Sequence, residues 1–212
     1  VNGADVSLFH WINGWSDACA PFYHFLSEGN KMWSVRIVFG LILIAMIVAG
    51  IRTRRAALLA VLSVPLANLI CDLLKNNLQM PRPCPPNGKE TVFYHGAIVY
   101  NHGVGFLGSY GTASAHAANT SAIATVFFFF LARNTDDEAE KRPLWKRAPW
   151  AVIPILISFL TGIARIYVGV HYPSQVLFGW ICGVSIGLVV CFGYTYLAKY
   201  KREPKAVDEN GT

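Results

Sequence analysis

The sequence predicts an all-α fold, a polytopic transmembrane helical bundle of five to six spans behind an N-terminal amphipathic interfacial segment. Three observations predict it. Apolar residues make up 54% of the 212 positions and charged residues 14%, against roughly 25% charged in a soluble domain. The apolar residues fall in long continuous runs, which suits helices in lipid rather than alternating strands. The basic residues gather between alternate runs, as they do on one side of a bilayer.

The five runs are 33–51, 56–74, 113–132, 150–163 and 173–197. Most reach the roughly 20 residues that a spanning helix needs. The fourth is shorter and takes Arg165 and Tyr167 as snorkelling or interfacial residues at its end. Ahead of the runs, Phe9, Trp11, Ile12, Trp15, Phe22, Phe25 and Leu26 are interleaved with Asn13, Ser16, Asp17 and His24. That pattern reads as one or two amphipathic helices at an interface, with a sixth, short span as the alternative. It lacks the basic start and cleavage site of a signal peptide. The chain reads as one domain over 1–212. Residues 1–30 lie at the interface, 75–116 and 164–175 form outer-face segments, and 199–212 are a cytoplasmic tail.

Charge sets the sidedness. Arg52, Arg54 and Arg55 follow the first run. Arg133, Lys141, Arg142, Lys146 and Arg147 follow the third, and Lys199, Lys201, Arg202 and Lys205 follow the fifth, twelve of the eighteen Lys and Arg in all. The positive-inside rule makes that side cytoplasmic. Topology therefore explains most of the +6 net charge, and no nucleic-acid partner is implied. The five cysteines, Cys19, Cys71, Cys84, Cys182 and Cys191, show no metal-ligand spacing. Cys19 and Cys84 both face the oxidising side and are free to pair, although their spacing does not demand it.

The opposite face collects Lys75, Arg82, Ser114, His116, Arg165 and His171. Two histidines beside three cations are costly near lipid unless an anion binds there, and phosphate is the natural counter-charge. Ser114 and His116 start the third long run, where free N–H groups and the helix dipole favour an anion. Ser114 is also suited to be the N-cap. Arg82 sits among Pro81, Pro83, Pro85 and Pro86, which hold its backbone extended. Asp72 either orients Lys75 or forms only a local helix-end ion pair. The outer acids Asp5, Asp17, Glu28, Asp72 and Glu90 read as scattered, with no cluster fit for Mg²⁺.

Lys75-x6-Arg82-Pro83, Ser114-Ala115-His116 and Arg165-x5-His171 together resemble, in order, the three signature motifs of the type 2 phosphatidic acid phosphatase superfamily. The resemblance spans residues 75 to about 179. It implies His171 as a nucleophile that forms phosphohistidine and His116 as the general acid on the leaving oxygen. Lys75, Arg82, Arg165, the Ser114 hydroxyl and the Ala115 amide would hold the phosphoryl oxygens. No metal and no cofactor are implied. Ala113, Ala115 and Ala164 depart mildly from the family pattern. Gln175 departs most, because it stands where the family usually has an aspartate that orients and charges the nucleophile. A glutamine carbonyl can orient the ring without the charge, so a working but less strongly activated nucleophile is expected.

The resemblance further implies a membrane lipid phosphatase of a bacterial inner membrane, with its site facing the periplasm or outside. The substrate would be a lipid phosphate or diphosphate, most narrowly undecaprenyl diphosphate. Lipid A 1-phosphate, phosphatidylglycerophosphate and phosphatidate are the alternatives. A lipid-to-lipid phosphotransferase would share the site, a non-enzymatic lipid-phosphate binder would keep only its pocket, and the spans disfavour a vanadate haloperoxidase. Oligomeric state stays open. The loop 85–112, rich in glycine and aromatics, is expected to cover the site and select the headgroup.

Overall fold

Residues 2–83, 91–94, 97–100, 110–132 and 143–200 are described by a computed structural model. Two short helices, α1 (Gly3–Asn13) and α2 (Ala20–Glu28), precede α3 (Trp33–Ala49), α4 (Ile51–Leu78), α5 (Ala115–Phe127), α6 (Leu144–Tyr167) and α7 (Pro173–Tyr200). A π-helical turn, Phe128–Ala132, extends α5. Helices Ile51–Leu78, Ala115–Ala132, Trp145–Tyr167 and Pro173–Tyr200 are long and apolar enough to cross a membrane. A fifth span arises if α3 is joined to Asp17–Lys31, from which it bends by 68°. Among the described residues no helix remains for a sixth span. α1 and α2 have eleven and nine residues, far short of a bilayer's roughly 20.

Two local features differ from the sequence reading. The loop after the first run shrinks to Gly50, so Arg52, Arg54 and Arg55 stand in the first turns of α4. Arg54 donates from Nε to the Ile47 carbonyl at 2.9 Å, Arg52 to the Phe130 carbonyl, and Arg147 to the Ala132 carbonyl at 3.1 Å. These cations cap the carbonyl ends of α3 and of the α5 extension, where the helix dipole favours positive charge. Within the loop before α5, β1 (Thr91–Tyr94) and β2 (Ala97–Tyr100) pair antiparallel, Thr91 opposite Tyr100. Cys84 and Glu90 lie outside the described residues.

Small side chains fill the interior and large ones face outward. Ala56, Ala57, Ala67, Ala117, Ala118 and Ala122 are buried, while Ile37, Leu41, Val48, Val189 and Phe192 are exposed. That inversion of globular packing suits a lipid surround. The tightest contact joins α7 to α5 along Gly179, Gly183 and Gly187. A Cβ on Gly183 would lie 2.1 Å from the Ala118 carbonyl oxygen and from Ser121 Oγ, and one on Gly179 would lie 2.5 Å from the Ser114 carbonyl oxygen. Glycine alone permits that approach.

The N-terminal helices lie over the ends of α6 and α7. Phe9, Ile12, Tyr167, Val168 and Tyr172 share one buried cluster. The Asn13 amide donates to the Tyr167 carbonyl at 2.8 Å. Asp5 accepts from the Ser174 N–H at 2.8 Å and its hydroxyl at 2.6 Å, which caps the start of α7. Trp11, Phe22 and Phe25 remain exposed on the other side, the division expected of an interfacial segment.

Candidate active site

The end of α6 explains the spacing from Arg165 to His171. Gly169 takes φ 83°, the left-handed turn that glycine adopts at low cost after a helix. The chain then doubles back, and the N–H groups of Val170 and His171 both donate to the Arg165 carbonyl, each at 3.2 Å. His171 is thereby returned over the end of its own helix. The first motif approaches from α4. Gln79 ends that helix at φ 48°, and the Gly111 N–H donates to the Met80 carbonyl at 2.8 Å. Gly111 must be glycine: a Cβ would lie 2.6 Å from Gln175 Oε1 and 2.9 Å from Arg82 Cγ.

His171 is buried, and its two ring nitrogens meet opposite chemistry. Nδ1 faces two acceptors, the Gly111 carbonyl at 3.1 Å and Gln175 Oε1 at 3.2 Å. Nε2 faces a donor, Arg82 Nη1, at 3.3 Å. Two acceptors favour the proton on Nδ1 and leave Nε2 unprotonated, where it can accept from Arg82 Nη1. Burial, then Arg82 and Arg165, hold the imidazole well below its usual pKa of 6.5, so the ring is neutral at pH 7.

Gln175 is anchored from both ends of its amide. Its Oε1 also accepts from the Tyr172 N–H at 3.2 Å, and its Nε2 donates to the Pro81 carbonyl at 2.8 Å. The second bond ties the partner of His171 to the residue next to Arg82. An aspartate could not make it, because an ionised carboxylate only accepts.

The phosphate-side residues converge unevenly. Arg82 Nη1 donates to the Val170 carbonyl at 2.9 Å. Burial and then Arg165 push Arg82 down to about 10, which leaves it charged at neutral pH. Ser114 is the N-cap of α5, and its Oγ accepts from the Ala117 N–H at 3.4 Å. Ala115 opens the first turn, where N–H groups lack intrahelical partners. His116 follows, with Nε2 buried and without a hydrogen-bond partner. Lys75 pairs with Asp72 at 3.0 Å and sits farther out, within electrostatic reach of both histidines.

Arg165 is buried, and its partners come from a segment the sequence left aside. Nη1 donates to Ser27 Oγ at 2.6 Å and to Glu28 Oε1 at 2.7 Å. Glu28 is thus not one of several scattered acids. Its signal was a lone carboxylate at the end of an otherwise apolar and aromatic helix. Gly111 was likewise passed over among the loop glycines.

A helical membrane bundle that brings Arg82 onto His171 beside the end of α6, with His116 at the start of α5, defines the class. Residues 56–199 match the PAP2 superfamily, and the chain belongs to that family. It is 28% identical over 211 residues to a protein of Arabidopsis thaliana described as probable lipid phosphate phosphatase 4, covering 92% of this chain. The chain spans 65% of that relative's length. Its fold resembles Aquifex aeolicus LpxE, with TM-score 0.60, 23% identity, and coverage of 89% of this chain and 95% of that one. It also resembles a transmembrane PAP2-type phosphatidylglycerolphosphate phosphatase of Bacillus subtilis, with TM-score 0.61, 19% identity, and coverage of 96% and 90%.

Proposed function

We propose that this protein is a membrane lipid phosphatase that works through a phosphohistidine on His171, with its site facing the periplasm or outside. The observation that supports the reading is the tautomer of His171 favoured by its partners, whose unprotonated Nε2 meets Arg82 Nη1 at 3.3 Å. In the first step Nε2 attacks phosphorus while the bond from phosphorus to the leaving oxygen breaks. His116 gives its proton to that oxygen. The incoming phosphate dianion favours the protonated form of His116, and the unpartnered Nε2 is the atom available to donate. In the second step water attacks phosphorus, the N–P bond breaks, and His116 takes the water's proton. Arg82, Arg165, Lys75 and the first turn of α5 supply fixed positive charge for the phosphoryl oxygens.

An apolar groove of about 310 Å³ between α3, α5 and α6 supports a lipid substrate. It is lined by Phe39, Thr120, Ile123, Trp150 and Ile157 among others. Thr120 lies one turn from His116 and donates its hydroxyl to the His116 carbonyl at 2.9 Å, so a chain in the groove ends near the general acid. The likeness to proteins named as lipid phosphatases supports the same class. Within it, undecaprenyl diphosphate is the narrowest reading. Rapid-quench labelling tests the mechanism. Wild type should accumulate acid-labile phosphohistidine and release inorganic phosphate, and His171→Ala should do neither. Labelled phosphohistidine at wild-type levels in His171→Ala would end the assignment.

A further inference from the structure

We propose that Glu28, presented by α2, is a positioning residue for Arg165, which makes the N-terminal helices a wall of the active site. The inference rests on the reading that Arg165 grips the phosphoryl group. Arg165 is 4% exposed, and a guanidinium so far from water needs a partner. The partner comes from 137 positions away: Glu28 Oε1 at 2.7 Å and Ser27 Oγ at 2.6 Å, both on Nη1. Ser27 closes the ring by donating its hydroxyl to Glu28 Oε1 at 3.1 Å. The 3₁₀ turn Gly29–Lys31 brings Lys31 back onto the other carboxylate oxygen. Glu28 is therefore held from both sides before it meets Arg165.

The arrangement divides the guanidinium. Nη1 is occupied by α2, while Nε is buried with no hydrogen-bond partner. One corner is fixed by the protein, and another stays free for a phosphoryl oxygen. Local preference does not explain the carboxylate. Glu28 is the last residue of α2, where the helix dipole disfavours negative charge. Asp72 also meets a motif cation, but its side chain is 65% exposed against 12% for Glu28. The charges acting on His116 include Arg165, Glu28, Lys31 and Lys75, so a shift of Glu28 is felt at both the phosphate grip and the general acid.

The test is a double-mutant cycle on the full chain in detergent, with a short-chain phosphatidate as the probe. Glu28→Gln keeps an acceptor for Nη1 but loses the charge, so Arg165 is held less firmly. Its kcat should fall about tenfold or more with KM changed far less, since small misplacements of a catalytic group cost up to about 10²-fold. Glu28→Asp should recover part of the loss. Arg165→Lys should lower turnover strongly by itself, and adding Glu28→Gln to it should cost less than about twofold more. Full multiplication of the two losses, or wild-type kcat in Glu28→Gln, overturns the positioning role. Undiminished turnover in Arg165→Lys instead overturns the site reading beneath it. If Glu28→Gln fails to accumulate, Ser27→Ala removes the other side-chain acceptor of Nη1 and leaves only the Ser27 carbonyl at 3.4 Å beside Glu28, and the same non-multiplicative pattern with Arg165→Lys is required.

Discussion

Replacing Gln175 by aspartate tests how the nucleophile is tuned. The substitution does two separable things. It removes the donor that Gln175 Nε2 gives the Pro81 carbonyl at 2.8 Å. Pro81 is exposed, so water can take the donor's place, and the lost bond should cost about 0.5–1.5 kcal/mol and lower the melting temperature modestly. It also sets an anion near Nδ1 of His171, where a neutral oxygen now stands at 3.2 Å. A charged hydrogen bond is roughly twice as strong as a neutral one, and it favours the imidazolium. The sign follows. In the wild type burial and the neighbouring arginines depress the His171 pKa, so the ring stays neutral and nucleophilic well into acid. A carboxylate raises that pKa, the ring protonates sooner as pH falls, and the acidic limb of the pH–rate profile moves to higher pH. An opposite charge at this range shifts a pKa by about one unit or more. The assay is phosphate release by purified protein in detergent across pH, beside a thermal melt. An unmoved limb in a folded, active Gln175→Asp would refute the contact between position 175 and the ring as a control on reactivity.

Four further expectations follow from the same geometry. His116→Ala should lose about 10²–10⁴-fold on lipid substrates and recover partly on an activated phenyl phosphate; equal losses on both would remove the general-acid role. Gly183→Ala should destabilise the protein by about 1–3 kcal/mol or more, because its Cβ meets the Ala118 carbonyl oxygen at 2.1 Å, whereas Gly193→Ala meets nothing within 4 Å and should be silent in the same melt. In a cysteine-free background, Asn77→Cys should react with an impermeant thiol reagent in intact cells and Lys199→Cys should not, and the reverse pattern would invert the topology. Turnover should survive chelator and be inhibited by vanadate, and a loss in chelator reversed by Mg²⁺ would contradict fixed cations as the source of charge stabilisation.

The helical runs and the motif residues were legible because both are local signals. Run length follows bilayer thickness, and the Arg165 to His171 spacing encodes one helix end turned by Gly169. What escaped was non-local or backbone-mediated. Nothing in the periodicity of 20–28 announces a partner at Arg165, since that pairing exists only once α2 lies across the end of α6. The link from Gln175 to Pro81 depends on two turns meeting in space. The Gly179, Gly183 and Gly187 spacing was not singled out, because its meaning depends on which helix faces it. Arg52 and Arg54 were read only as markers of sidedness, and their work as caps of α3 and the α5 extension could be seen only after the loop between α3 and α4 shrank to Gly50.

The glycine seam has a mechanical consequence. α5 carries Ser114 and His116, and α7 carries Gln175. Where two backbones interlock through bare Cα atoms, neither can slide or pivot without collision, so His116 and Gln175 ride on one stiff chassis. Any breathing that admits a lipid headgroup must then be taken up elsewhere. The overlying α1 and α2 hold to α6 and α7 through the apolar cluster around Phe9, Ile12 and Tyr167 and through polar bonds, Asp5 on Ser174 and Asn13 on the Tyr167 carbonyl among them. The seam thus keeps the helix that carries His116 and the helix that carries Gln175 in register.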